Sequence, residues 1–263
     1  MLEARAISYA YEKDSPVLHD ISIGIMPGEV VFLLGRNGCG KTTLMRCLTG
    51  IFQPDTGVVL LDGQNIRTIR PAERAQRVGL IPQIHSPAFA YSVHDIVLMG
   101  RAPYLGLFGK PSEADHTVAN DAIARVGMIE FRDRPYTQLS GGQQQLVMIA
   151  RGLTQQCDIL LMDEPDAHLD PRNRHRIMSI VRNLIRDNLT FVISSHTPNH
   201  ALAYGDRVLL LRDGRTLALG SPPETLTETL LSAAYGMDIE IIFQQRNGRT
   251  VPRAILPRQD EFI

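Results

Sequence analysis

Disulfide spacing, net charge, long apolar runs and aromatic residues are all in short supply in this chain, and each shortage excludes something. The three cysteines, Cys39, Cys47 and Cys157, fall at no paired or metal-ligand spacing. That rules against a disulfide scaffold or a thiolate metal site and fits reduced thiols in the cytosol. With 27 basic and 28 acidic residues the formal net charge is −1, so no general nucleic-acid or anionic-membrane surface is expected. No stretch approaches the roughly 18 apolar residues needed to cross a bilayer. Met1-Leu2-Glu3-Ala4 does not read as a signal peptide. Internal repeats and low-complexity segments are missing as well. Aromatics make up only 6% of the 263 residues, yet 44% are hydrophobic. That is enough to bury a full core as one large domain or as a domain with an insert.

What the chain does have is Gly35-Arg36-Asn37-Gly38-Cys39-Gly40-Lys41-Thr42-Thr43, placed between an apolar strand, Val30 to Leu34, and a helix stopped by Gly50. Strand, glycine-rich loop and helix, with Gly-x-x-x-x-Gly-Lys-Thr in the loop, is a phosphate-binding loop. Glycines let successive backbone N–H groups turn inward around a phosphate, and the helix N-terminus adds positive field. Lys41 supplies a point charge to the β- and γ-phosphates, and the Thr42 hydroxyl is a hard ligand suited to Mg²⁺. Cys39 reads as a small loop filler, with oxidation or alkylation there as the alternative. A nucleoside triphosphate is the expected ligand.

The flanking sequence reads as an α/β protein. Ala4 to Tyr11 and Val17 to Ile25 are strand-like, with a polar turn at Glu12-Lys13-Asp14-Ser15. Val58 to Leu61 and Val78 to Ile81 are further strands, and Arg70 to Arg77 is an exposed helix. Helical periodicity marks Val93 to Arg101, Glu113 to Val126 and Gln144 to Thr154. These form a helical insert, about 88–154, between two halves of the core, with His94 and Arg101 read as exposed on it. Ile159 to Met162 is an apolar strand covered on both faces. A helix from Pro171 to about Asp187 carries Ile177, Val181, Leu184 and Ile185 on one stripe. Strands at Thr190 to Ser194 and Asp206 to Leu211 follow, and Asp213-Gly214 closes a hairpin. The tail, 221–263, has one helix, Glu224 to Leu231, and a hairpin through Asn247-Gly248, with no functional reading.

A triphosphate site needs a carboxylate for the metal and a way to activate water. Asp163-Glu164 ends the buried strand, the position where ligands bind in an open α/β sheet. Asp163 suits Mg²⁺ and Glu164 suits a general base. Leu139-Ser140-Gly141-Gly142-Gln143 opens a helix with a second cluster of N–H and hydroxyl groups suited to anionic oxygen. On its own it reads equally as a helix cap with Ser140 as the capping residue.

These motifs together resemble those of the ATP-binding-cassette (ABC) ATPases over essentially the whole chain. Gly35 to Thr42 resembles Walker A, Ile159 to Asp163 Walker B, and Leu139 to Gln143 the signature. The resemblance implies a RecA-like P-loop NTPase core with an N-terminal antiparallel β subdomain and an inserted helical subdomain. Residues 1–220 would be the ATPase domain and 221–263 a short tail packed on or beside it. It implies that ATP is bound by Gly35, Asn37, Gly38, Cys39, Gly40, Lys41, Thr42 and Thr43, and Mg²⁺ by Thr42, Gln83 and Asp163. Tyr11 matches the adenine-stacking aromatic, with Tyr9 its competitor, and Gln83 the Q-loop glutamine that reaches Mg²⁺ and water. His196 matches the switch histidine and Asp170 the D-loop aspartate. Two departures stand out: Ala167-His168 in the D-loop, and Leu146 where arginine is common.

The run from Gln83 through Val93-His94-Asp95-Ile96-Val97-Leu98-Met99-Gly100-Arg101-Ala102-Pro103-Tyr104 resembles the metal-chelate importers, which move ferric siderophores, haem or cobalamin. Molybdate/tungstate importers share much the same motif. The resemblance implies a homodimer, paired head to tail with each ATP between one phosphate loop and the other copy's Ser140 to Gln143. Its other partners would be integral-membrane permease subunits and, indirectly, a substrate-binding protein, with the chain peripheral at the cytoplasmic face of the cell membrane. A permease-free cassette of the iron–sulfur assembly or DNA-repair kind is the alternative. A non-hydrolysing switch should lack Glu164, and a GTPase should carry Asn-Lys-x-Asp, which does not occur.

Overall fold

The computed structural model describes residues 1–12, 15–83, 90–106, 108–166, 169–185, 189–246 and 249–258. Strands β1 (Leu2–Glu12), β2 (Ser15–Ile25) and β3 (Val30–Leu34) lead into helix α1 (Lys41–Leu48). Then come β4 (Thr56–Leu61), β5 (Gln64–Asn65), α2 (Pro71–Arg77), β6 (Val78–Ile81), α3 (Val93–Leu98), α4 (Glu113–Arg125) and α5 (Gly141–Thr154). The chain continues through β7 (Ile159–Asp163), α6 (Pro171–Ile185), β8 (Thr190–Ser195), α7 (Pro198–Tyr204), β9 (Arg207–Arg212) and β10 (Arg215–Gly220). It ends with α8 (Pro222–Thr225), α9 (Glu228–Tyr235), β11 (Ile239–Arg246) and β12 (Arg249–Pro257). Among the described residues no helix is long and apolar enough to cross a membrane.

Two compact units result, one of 1–63 with 193–263 and one of 64–192. In the first, β1 pairs antiparallel with both β2 and β4, its Leu2 opposite Ile25 on one side and Leu61 on the other. A second layer sets β3 parallel to β9, Leu34 opposite Leu210, with β10 antiparallel on the far side of β9. All five residues of β3 are buried, as a strand covered on both faces requires. The tail belongs to this unit. Asn199 of α7 meets Ile255 of β12 as a strand would, its Nδ2 donating to the carbonyl at 3.0 Å and its Oδ1 accepting from the N–H at 2.8 Å.

In the second unit β6 and β7 run parallel, Val78 opposite Ile159, and β7 is again wholly buried. The helical part is closed by a short ladder: Val93 N–H donates to Arg134 O (3.0 Å), His94 N–H to Arg132 O (2.9 Å) and Tyr136 N–H to Tyr91 O (2.9 Å). Ser92 and Ser112 each form a capping box, with Asp95 and Asp115 respectively, which fixes the starts of α3 and α4.

Several expected boundaries move for identifiable reasons. The helix from Val93 turns 3₁₀ at Met99–Tyr104, and Gly100 is a packing residue. A Cβ there would lie 2.3 Å from Arg151 O, so only glycine lets the 3₁₀ turn approach α5. His94 and Arg101 are not exposed; each is 8% accessible. His94 stacks on His116, with 3.3 Å between Nε2 and Nδ1. Arg101 bonds Asp115 Oδ1 (2.7 Å), Thr154 O (3.1 Å) and Gln156 Oε1 (2.8 Å) while lying 3.7 Å over the Tyr104 ring. The single tail helix is two, because Ser221 and Thr227 each start a new one. The hairpin of β11 and β12 forms as expected, though its turn residues, Asn247 and Gly248, lie outside the described residues, as do Lys13 and Asp14.

Candidate active site

In the first unit, β3 delivers the phosphate loop to α1. Gly38 (φ +81°) and Gly40 (φ +103°) take left-handed backbone, which glycine adopts without a Cβ penalty. Close packing fixes the loop from outside: a Cβ on Gly35 would lie 2.4 Å from Leu211 O, and one on Gly40 2.7 Å from Leu18 Cδ2. Gly214 N–H donates to Cys39 O at 3.2 Å. Lys41, 5% accessible, curls over its own loop, its Nζ donating to Gly35 O (2.9 Å) and Arg36 O (3.1 Å). The ammonium is thereby held above the backbone that would cradle a phosphate. Thr42 is exposed and Thr43 is buried. Burial pushes the Cys39 thiol up, with Lys41 opposing, which favours the filler reading over a reactive thiol.

Tyr11 stands at the edge of this region, 55% accessible, with its hydroxyl 3.2 Å from Thr43 Oγ1. Its competitor Tyr9 stacks flat on Phe52, centroids 5.1 Å apart, and Arg46 lies 5.2 Å from the Phe52 ring centroid. Tyr11 meets the Tyr9 and Phe52 rings edge to face, at 5.3 and 5.6 Å, and is exposed where Tyr9 is half-buried. His196 is exposed directly after the buried end of β8.

In the second unit, buried β7 ends at Asp163 (7% accessible) and hands on to Glu164, a half-buried residue at φ +45°. Gln83 is exposed after β6. Ser140 is a helix cap: Gln143 N–H donates to its Oγ (3.4 Å) and its own N–H donates to Gln143 Oε1 (3.0 Å). Ser140 and Gly141 remain exposed on the α5 N-terminus. Asp170 caps α6, accepting from Asn173 N–H (2.9 Å) and Nδ2 (2.7 Å). The Asn173 backbone N–H is the main reason its carboxyl sits below the usual range. Ala167 and His168 lie outside the described residues.

One group missed by sequence reasoning is Asn173. A Cβ on Gly142 would meet its Nδ2 at 2.5 Å, so this one amide supports Asp170 and abuts Gly142. Its place three residues after a capping Asp, with Pro171 between, is a signal that a capping search would find.

A phosphate loop on one parallel strand, an acidic pair ending another and a capped Gly-Gly helix define a nucleoside-triphosphate-hydrolysing α/β protein. Residues 18–167 match the family described as ABC transporter, and the chain belongs to that family. It is 36% identical over 247 residues to the hemin import ATP-binding protein HmuV of Rhodococcus jostii, spanning 94% of this chain and 82% of the relative. Identity to the HmuV of Thermobifida fusca is 38%, over 94% of this chain and 86% of that one. The molybdate import ATP-binding protein MolC of Haemophilus influenzae is 34% identical over 89% and 87%. A metal-chelate type ABC transporter solved in an inward-facing conformation superposes with a TM-score of 0.88 at 30% identity, over 100% of this chain and 99% of that one. The P-loop NTPase fold and the ATP-hydrolysing class expected from the motifs both hold.

Proposed function

We propose that this chain drives import of a metal chelate, with haem the cargo best supported, by hydrolysing ATP beneath a separate permease. The observation that carries the reading is likeness along nearly the whole chain: 36% and 38% identity to hemin import proteins, each over 94% of its length. Molybdate is the second reading, supported by MolC at 34% identity.

Lys41 and the backbone amides of Asn37, Gly38, Cys39, Gly40, Thr42 and Thr43 would hold the phosphates of ATP in the loop that Gly35 opens, and Tyr11 would stack on adenine. Thr42, Asp163 and Gln83 offer hydroxyl, carboxylate and amide oxygens, the hard donors Mg²⁺ takes, and the metal would neutralise developing phosphate charge. Glu164 takes the proton of the attacking water, and His196 steadies the γ-phosphate. Ser140, Gly141, Gly142 and Gln143, with Asp170, act on the nucleotide of a second copy. Residues 1–220 form the ATPase domain, with the helical insert at about 88–154, and 221–263 the tail. Permease subunits and, indirectly, a substrate-binding protein complete the assembly at the cytoplasmic face of the membrane.

The test is Glu164→Gln. ATP binding should persist while turnover falls by roughly 10²-fold or more, the scale of a lost general base. Cells carrying only this variant should lose haem uptake and keep molybdate uptake. Loss of molybdate uptake alone would transfer the assignment to the second reading. Turnover within a few-fold of wild type would remove Glu164 from its role.

A further inference from the structure

The tail, which has no motif, reaches the phosphate loop. Helix α9 is set by Thr227, whose Oγ1 accepts from Leu230 N–H at 3.3 Å, and it ends in left-handed Gly236. Ser232 Oγ accepts from Ile239 N–H (2.9 Å), and Glu228 Oε1 accepts from Ile241 N–H (2.8 Å). These bonds fold β11 back on the helix and fix where its last turn points. It points at the loop. A Cβ on Gly236 would lie 3.3 Å from Arg36 Nη1, so the guanidinium lies against the carbonyl end of the helix, where a cation is favoured.

One residue earlier, the Tyr235 hydroxyl is buried and makes no hydrogen bond among the described residues. Its surroundings are the loop itself. Burial and the Cys39 thiol push the phenol well above the usual tyrosine range, and the Gly35 backbone N–H works against them. A buried hydroxyl without a bond is destabilising, and such a group in a native structure calls for an explanation. β2 and the β9–β10 turn already pack the loop through Leu18, Leu211 O and Gly214 N–H. Tyr235 brings a polar side chain from the tail to the same loop.

We propose that Tyr235 is a positioning residue for ATP binding: α9 braces the phosphate loop, and the hydroxyl takes the Gly35 N–H as the loop tightens on the phosphates. The tail is on this view part of the nucleotide site. The inference rests on the ATP reading above and adds a residue no motif marks.

Full-length Tyr235→Phe separates this role from packing, since the ring stays and only the hydroxyl goes. The expected result is an ATP KM and Kd raised roughly 3- to 10-fold, the scale of one neutral hydrogen bond, with kcat within two-fold of wild type. Without nucleotide the variant should melt at or slightly above the wild-type temperature, because an unbonded buried group is gone. With saturating ATP it should gain less than wild type does. Tyr235→Ala should lose affinity and also melt lower in the absence of nucleotide. Unchanged KM in Tyr235→Phe, or a fall in kcat alone, would overturn the brace. Failure of wild-type protein to bind ATP would overturn the proposed function, and this inference with it.

Discussion

Glu164 is the residue whose backbone says most. A carboxylate side chain at φ +45° sits where the left-handed conformation costs about 1–2 kcal/mol for any residue with a Cβ, and such strain gathers at functional sites. The residue directly follows buried Asp163, the last residue of β7. Glu164→Gly should melt at or above the wild-type temperature while losing turnover as fully as Glu164→Gln. A Gly variant melting well below wild type in a thermal scan would mean the backbone there is unstrained. Placement at this scale was legible where a motif is local, as with Lys41 and Thr42, which the glycine-rich loop and the start of α1 position within one turn. Asn173's contact with Gly142 and Tyr235's reach were not, because each depends on an element far along the chain, and Glu164's left-handed backbone leaves no mark in its residue type.

At the scale of elements, the join of the 3₁₀ turn at Met99–Tyr104 to α4 and α5 rests on Arg101 and Asp115. Asp115 bonds the Ser112 backbone and hydroxyl first and Arg101 next, which holds its carboxyl down at about 2 against an ordinary 3.8. A folded-state value below the unfolded one means the contribution is complete above about pH 4 and lost as pH falls toward 2. The thermal midpoint should therefore be flat near neutrality and drop across that window. Ser112→Ala should start lower at pH 7 and drop less steeply; an identical acid profile would take Asp115 out of the account. Apolar periodicity found α4, α5 and α6 to within a few residues, since burial and pattern share a cause. It misplaced His94 and Arg101 on the surface. Polar residues are expected outside, and only a tertiary partner such as Asp115 or His116 makes their burial tolerable.

For the whole molecule the proposed partner is a second copy, with each ATP shared between copies. Lys41→Ala should lose ATP affinity because a charge-assisted phosphate contact goes. Ser140→Arg should bind ATP and fail to hydrolyse it. Equal mixing should recover roughly a quarter of wild-type turnover, since half the dimers are mixed and one of two sites works in each. Normal hydrolysis by Ser140→Arg alone would show that each copy works by itself. The order of motifs suggests this assembly from the sequence alone, whereas the part proposed for the tail at the phosphate loop has no motif to announce it.

The three cysteines carry a practical consequence. All are buried, and burial pushes Cys47 and Cys157 up to about 12 and Cys39 upward too. The thiolate is the reactive form, so at neutral pH the native protein presents almost nothing for a maleimide to attack. A cysteine placed at exposed Phe108 would take a dye or spin label against a silent background, with no native thiol removed. Distances between two such labels would then follow the helical region through the ATP cycle in an otherwise unaltered molecule.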